Sequence, residues 1–181
     1  MKTKVLIMAG IALLLIGQSG MAQSTNGFTD VKGMNFLNAG IGLGTYGMSG
    51  TGGLPVNASF EHGFTKNISA GAGIGYVQKK YASYWKYSYF IFGLRGSYHL
   101  NEVLKVASDK LDVYAGAGLL YTRYKFKYSD HNDELYLNSS GGDVDIELHA
   151  GARYFFKDKL GAFAELGYGI SPLQLGVAVK L

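Results

Sequence analysis

The chain has 181 residues, 17 Lys and Arg against 13 Asp and Glu, no Cys, only 2 Pro, and many Gly (27), Tyr (14) and Phe (10). That length suits one domain, and so small a positive charge does not single out nucleic acid as a partner. Without cysteine no disulfide framework can hold a small core, and this composition favours strands and tight turns over helices.

Lys2 and Lys4 precede the apolar run VLIMAGIALLLI, Val5–Ile16, after which Gly20 and Ala22 occupy the small positions before Gln23. This is the layout of an export signal, and cleavage is expected after Ala22, with residues 1–22 as signal peptide and 23–181 as one folded domain. The run is shorter than the ~20 apolar residues a spanning helix needs. Loss of Lys2 and Lys4 lowers the 17 basic side chains to 15, against 13 acidic ones. No later stretch could span as a helix, so membrane insertion has to use strands.

Eight segments then alternate with a period of two, which reads as strands with two unlike faces. Met34–Thr45 sets Leu37, Ala39, Ile41 and Leu43 against Asn38, Gly40, Gly42 and Gly44. Leu54–Phe64 sets Val56, Ala58, Phe60, His62 and Phe64 against Asn57, Ser59, Glu61 and Gly63, and Ile68–Val77 alternates Ile, Ala and Tyr with Ser and Gly. Tyr87–His99 opposes Phe90, Phe92, Leu94 and Tyr98 to Gly93, Arg95, Ser97 and His99. Leu111–Lys125 opposes Val113, Ala115, Ala117, Leu119 and Tyr121 to Asp112, Tyr114, Gly116, Gly118 and Thr122. Val144–Phe156, Leu160–Ile170 and Leu173–Leu181 complete the set.

The connections differ in kind. Thr65–Asn67 and Lys157–Lys159 are short, whereas Tyr46–Gly53, Gln78–Lys86 and Phe126–Asp143 are long and polar or Gly-rich. Short turns on one side and long loops on the other is the outer-membrane arrangement. Two segments disturb it: Leu100–Lys110 is long for a periplasmic turn and has room for a helical turn, and the outer loop at Ser171–Pro172 is very short.

A soluble barrel would also alternate, so the content of each face decides. One face is aliphatic and aromatic. The other is mostly Gly, Ala and Ser, interrupted by Glu61, Arg95, Asp112, Glu147, Arg153, Glu165 and Lys180. Those charges make a thin solvent coat, but turned inward they suit an eight-stranded barrel, whose interior is just wide enough to be filled by side chains. There they form an interior charge network, because charges taken from water are costly unless paired. Asp112 with Arg153, and Glu165 with Arg95, Arg153 or Lys180, are the candidate pairs. Aromatics gather near the strand ends, Phe64, Tyr98, Tyr154 and Phe156 toward the short turns and Tyr76, Tyr121 and Tyr168 toward the long loops, as two interfacial girdles would.

With its alternating strands, its Gly runs GIGLG and GAGIGY and its terminal LQLGVAVKL, the chain resembles the small eight-stranded outer-membrane β-barrels, of the outer-membrane protein A-like and X-like types. The resemblance implies an all-β, up-and-down transmembrane barrel in the outer membrane of a Gram-negative-type bacterium, delivered by the barrel-assembly machinery. The final Leu181 departs from the aromatic residue common at that position, although it keeps the apolar alternation.

Chemistry is sparse. Ser97 and His99 share a face with Asp112 on the next strand, and Glu147 and His149 repeat the spacing, so a nucleophilic triad can be drawn at the periplasmic end of a narrow interior. An interior hydrogen-bond network is the expected reading. SDHNDE, Ser129–Glu134, offers oxygen ligands at a spacing unlike an EF-hand loop, and the GLGTYG run is not followed by a helix, so neither metal nor nucleotide cofactor is expected. Lys79, Lys80, Trp85 and Lys86 beside several tyrosines, with Arg123, Lys125 and Lys127 above Tyr121, are the candidate contacts for lipid headgroups, lipopolysaccharide phosphates or an extracellular partner. No enzyme activity is expected. The expected function is a structural anchor or surface-interaction protein, with a narrow porin-like channel and, after it, a lipid-modifying enzyme as alternatives.

Overall fold

The computed structural model describes residues 27–48, 50–81, 85–128 and 138–181, and the expected signal peptide, residues 1–22, and Ser129–Glu134 lie outside them. The strands are β1 (Asn35–Leu43), β2 (Val56–Gly63), β3 (Ile68–Tyr81), β4 (Trp85–His99), β5 (Leu111–Tyr128), β6 (Asn138–Phe155), β7 (Leu160–Tyr168) and β8 (Leu173–Lys180). Each pairs antiparallel with its sequence neighbour, and β1 pairs with β8, so the sheet closes into a barrel without an edge through its body.

Closure follows from the alternation, since a two-faced sheet with one apolar side has to hide one face from the other's solvent. The aliphatic face points outward around the whole circumference: Leu94 is 68% exposed, Val144 67% and Leu166 62%, with Phe60, Ile74, Phe92, Leu119, Leu148 and Val177 also exposed. Arg95, Asp112, Glu147, Arg153 and Glu165 are buried inside. So large an apolar exterior around a charged interior is the inverse of a soluble protein and fits a lipid surround.

Strand lengths divide the barrel in two. β1, β2, β7 and β8 have 8 or 9 residues, close to one bilayer crossing, whereas β3 to β6 run to 14, 15, 18 and 18. Of the Gln78–Lys86 and Phe126–Asp143 segments, expected as loops, residues 78–81, 85–86, 126–128 and 138–143 are therefore strand. They continue β3–β6 as a sheet beyond the outer rim, in register from Val77↔Tyr89 through Lys80↔Lys86 and from Thr122↔Asp143 through Lys127↔Asn138. Tyr and Lys there belong to cross-strand pairs, which hydrogen bonding extends past the apolar zone.

On the short-turn side, the one expected to face the periplasm, Leu100–Lys110 holds the expected single helical turn, with Leu104 N–H donating to the Leu100 carbonyl at 2.8 Å. Lys66 Nζ meets Glu102 Oε1 at 2.8 Å, pinning that segment to the β2–β3 turn. Their bond raises the Lys66 amine above its usual value and lowers the Glu102 carboxyl. The stretch before β1 carries an element that the period-two reading missed: a 3-10 turn at Gly27–Thr29 places Phe28 in the periplasmic mouth, and Val31 follows it there.

Candidate functional site: the interior network and the protruding sheet

Two guanidinium groups organise the barrel interior. Arg153, fully buried, donates from Nε to Asn38 Oδ1 at 3.0 Å, from Nη1 to Asp112 Oδ2 at 2.8 Å and from Nη2 to Glu61 Oε1 at 2.9 Å. Its plane lies 4.0 Å from the Tyr114 ring centroid and 4.8 Å from that of Phe36, so both polar rim and flat faces are occupied. Arg95 donates from Nη2 to Glu165 Oε2 at 2.6 Å, and its other nitrogens lie 3.3 Å from Glu147 and 3.4 Å from Glu61. Tyr114 Oη and Gln174 Nε2 also reach Glu165.

Asp112 and Arg153 are direct cross-strand partners on β5 and β6, while Arg95 and Glu165 approach across the lumen from β4 and β7. Six of the seven interior charges considered from the sequence thus meet. Lys180 sits apart, its Nζ 5.3 Å and 5.7 Å from the ring centroids of Phe28 and Phe155 at the periplasmic mouth. The central cluster consequently holds four carboxylates, Glu61, Asp112, Glu147 and Glu165, around two arginines.

The histidines join differently from the drawn triad. His99 Nδ1 is 2.6 Å from Asp112 Oδ1, but its Nε2 meets Ser69 at 3.0 Å, and Ser97 meets His149 Nε2 at 2.9 Å. Ser69 and Ser97 sit on neighbouring strands in register, so each serine faces a histidine from another strand, a pairing that separation along the chain does not show. Ser69 also donates to Glu61 Oε2 at 2.7 Å, which ties the hydroxyl into the ionic network. Ser69, Ser97, His99 and His149 are all buried, and their hydrogen bonds tie into the charged groups of the interior.

An apolar cluster fills one end of the lumen. Phe28, Val31, Phe36, Phe155 and Phe163 fill the periplasmic mouth, with Phe28 and Phe155 stacked at 5.1 Å; Val77, Ile91 and Leu120 are buried toward the outer rim. Between them a cavity of about 20 Å³ beside Asn57, Arg95 and Glu147 has room for one water. Asn57 Nδ2, Arg95 Nε and His149 Nδ1 lack a hydrogen-bond partner among the described residues.

This inside-out, closed arrangement is the deciding observation. The chain is an outer-membrane-type β-barrel. It superposes on the N-terminal β-barrel domain of Pseudomonas aeruginosa OprF with a TM-score of 0.54 at 15% identity, covering 83% of this chain and 98% of that one. It is also similar to Neisserial surface protein A, NspA, with a TM-score of 0.50 at 13% identity, covering 82% and 94%. No protein-family model and no curated protein matches the sequence.

The barrel's candidate surface residues separate onto two faces of the protruding sheet. Lys80, Lys86, Arg123 and Lys125 continue the outward face, and Lys127 stands at the same register parity. Lys79 and Trp85 belong to the opposite face, where Trp85 stacks on Phe126 at 4.6 Å and Tyr87 approaches Phe126 at 5.0 Å.

Proposed function

We propose that the protein is a filled outer-membrane anchor that holds its protruding β3–β6 sheet at the cell surface as an interaction element. The observation that carries this reading is the filled lumen: two arginines bound among four carboxylates occupy the barrel interior, with a cluster of phenylalanines at one end. In this reading the chain is cleaved after Ala22, residues 23–181 form the barrel domain, and the barrel resides among outer-membrane lipids, including lipopolysaccharide, of a Gram-negative-type cell. Delivery by the barrel-assembly machinery belongs to the same reading. Its role is structural and interactive, without catalysis, because the serine–histidine pairs lie in the filled interior.

Planar-bilayer recording of refolded protein tests the anchor against the narrow channel. A protein that shows the heat-modifiable gel shift of a folded barrel and stays electrically silent supports the anchor. Steady unitary openings from the same sample overturn it. N-terminal sequencing of envelope-derived protein should begin at Gln23.

A further inference from the structure

Three successive cross-strand rows make up the outward face of the protruding sheet. The lowest is Tyr76–Phe90–Arg123–Gly142, the next Gln78–Ser88–Lys125–Ser140, and the highest Lys80–Lys86–Lys127–Asn138. The rows therefore bring the described cations Lys80, Lys86, Arg123 and Lys125 together, with no carboxylate at any of their positions. Among the described residues none of Lys80, Lys86, Arg123 and Lys125 forms an ion pair.

Like charges directly opposite one another on paired strands repel, and Lys80↔Lys86 is such a pair, with Lys125 one row below. Loops could keep such side chains apart, but ladder pairing holds these at strand spacing, roughly 5 Å across the sheet and 7 Å between rows. An external anion with several oxygens relieves that repulsion. Position selects the anion: the lowest row still carries Tyr76 and Phe90, which lie against each other at 4.9 Å at the top of the apolar zone, and the lysines begin one row above. That is the headgroup depth of the outer leaflet.

We infer that Lys80, Lys86, Arg123 and Lys125 form a seat for the phosphate groups of a phosphorylated glycolipid of the outer leaflet. Arg123 can take a phosphate bidentately near the aromatic belt, and the lysines add point charges above it. The seat rests on the membrane reading above and deepens it: the protruding sheet turns one face to the lipid surface and keeps the aromatic face of Tyr87, Tyr89 and Phe126 for other contacts.

The test uses the refolded full mature chain, with bisphosphorylated lipid A and the same lipid A stripped of phosphate as probes, titrated at several salt concentrations. Wild-type protein should prefer the phosphorylated lipid, and rising salt should erode the preference. The triple variant K80Q/K86Q/K125Q should lose on the order of a hundredfold of that affinity, at about tenfold or less per removed charge. Lys79→Gln, on the other face, should bind as wild type does. Equal binding of the two lipids by wild type, or an unchanged triple variant, overturns the seat. Displacement of lipid A by low-millimolar inorganic phosphate also overturns it, since a free anion would then be preferred. Should the triple variant lack the folded gel shift, the two-lipid comparison on wild type decides alone. Failure of the wild-type protein to enter bilayers overturns the membrane reading and the seat with it, whereas insertion without phosphate preference overturns only the seat.

Discussion

Arg153 shows most clearly how one residue holds this interior. Its three donor nitrogens face Asn38, Asp112 and Glu61, and its two faces rest on aromatic rings, so truncation strands two buried carboxylates at once. Arg153→Ala should lower unfolding stability by about 3–5 kcal/mol, read as a shift of the urea midpoint in lipid or detergent. An unchanged midpoint would remove the argument for an ionic scaffold. Glu102→Gln offers the contrast: the Lys66–Glu102 bridge is exposed on both sides, and pairs of that kind contribute little. Its midpoint should match wild type. The lowered Glu102 carboxyl keeps the bridge intact above the ordinary carboxylate range and loses it as the pH falls through that lowered value, so faster amide exchange in the β2–β3 turn should appear only in acid. One glycine is equally bound by its surroundings: a Cβ on Gly116 would collide with the Gly96 carbonyl and the His149 ring.

At the scale of elements, the long strands β3–β6 create two sheet edges above the barrel that closure does not remove. The β3 edge is covered by the β1–β2 loop, where Thr51 and Lys80 exchange backbone hydrogen bonds of 2.8 and 2.6 Å. The β6 edge is guarded chemically, because the Asp143 and Asp145 carboxylates accept from the N–H groups of Val144 and Ile146, and Tyr168 Oη donates to Asp145. A charged edge with occupied donors resists pairing with another strand. The double substitution Asp143→Thr and Asp145→Thr should thus promote self-association, visible as dimers and larger species in sedimentation of the micelle-embedded protein. A variant that stays as monodisperse as wild type would mean that the edge is protected otherwise. Tyr124 lies over Gly141 on the same strand pair, where a side chain would meet its ring.

Considered as a whole molecule, the barrel has an apolar exterior, a charged middle and an apolar stopper at its short-turn end. The periplasmic stopper comes from residues before β1: Phe28 stacks on Phe155, and the Val31 N–H donates to the Lys66 carbonyl at 2.9 Å. Phe28→Ala should cost about 3 kcal/mol by opening a cavity against Phe36 and Phe155. Because the chain has no cysteine, a single cysteine introduced at Ala178 can report on the seal. Its labelling by a small thiol reagent should be slow with Phe28 present and faster in the Phe28→Ala background.

The sequence by itself determined the number of strands, the two faces and which face carries charge, because a period of two converts directly into sidedness. Glu61, Arg95, Asp112, Glu147, Arg153 and Glu165 were legible as an inward set for that reason. Alternation says nothing about what lies across a lumen, so only the tertiary structure joined Ser69 to His99 and Ser97 to His149, chose Arg95 among the three candidate partners of Glu165, and left Lys180 over Phe28. Strand ends were equally hidden: the Lys- and Tyr-rich ends of β3–β5 look like loop composition, and register with neighbours, a non-local property, kept them in the sheet. Phe28 and Val31 lie in a segment without a period, and the closed barrel mouth decided that they are buried.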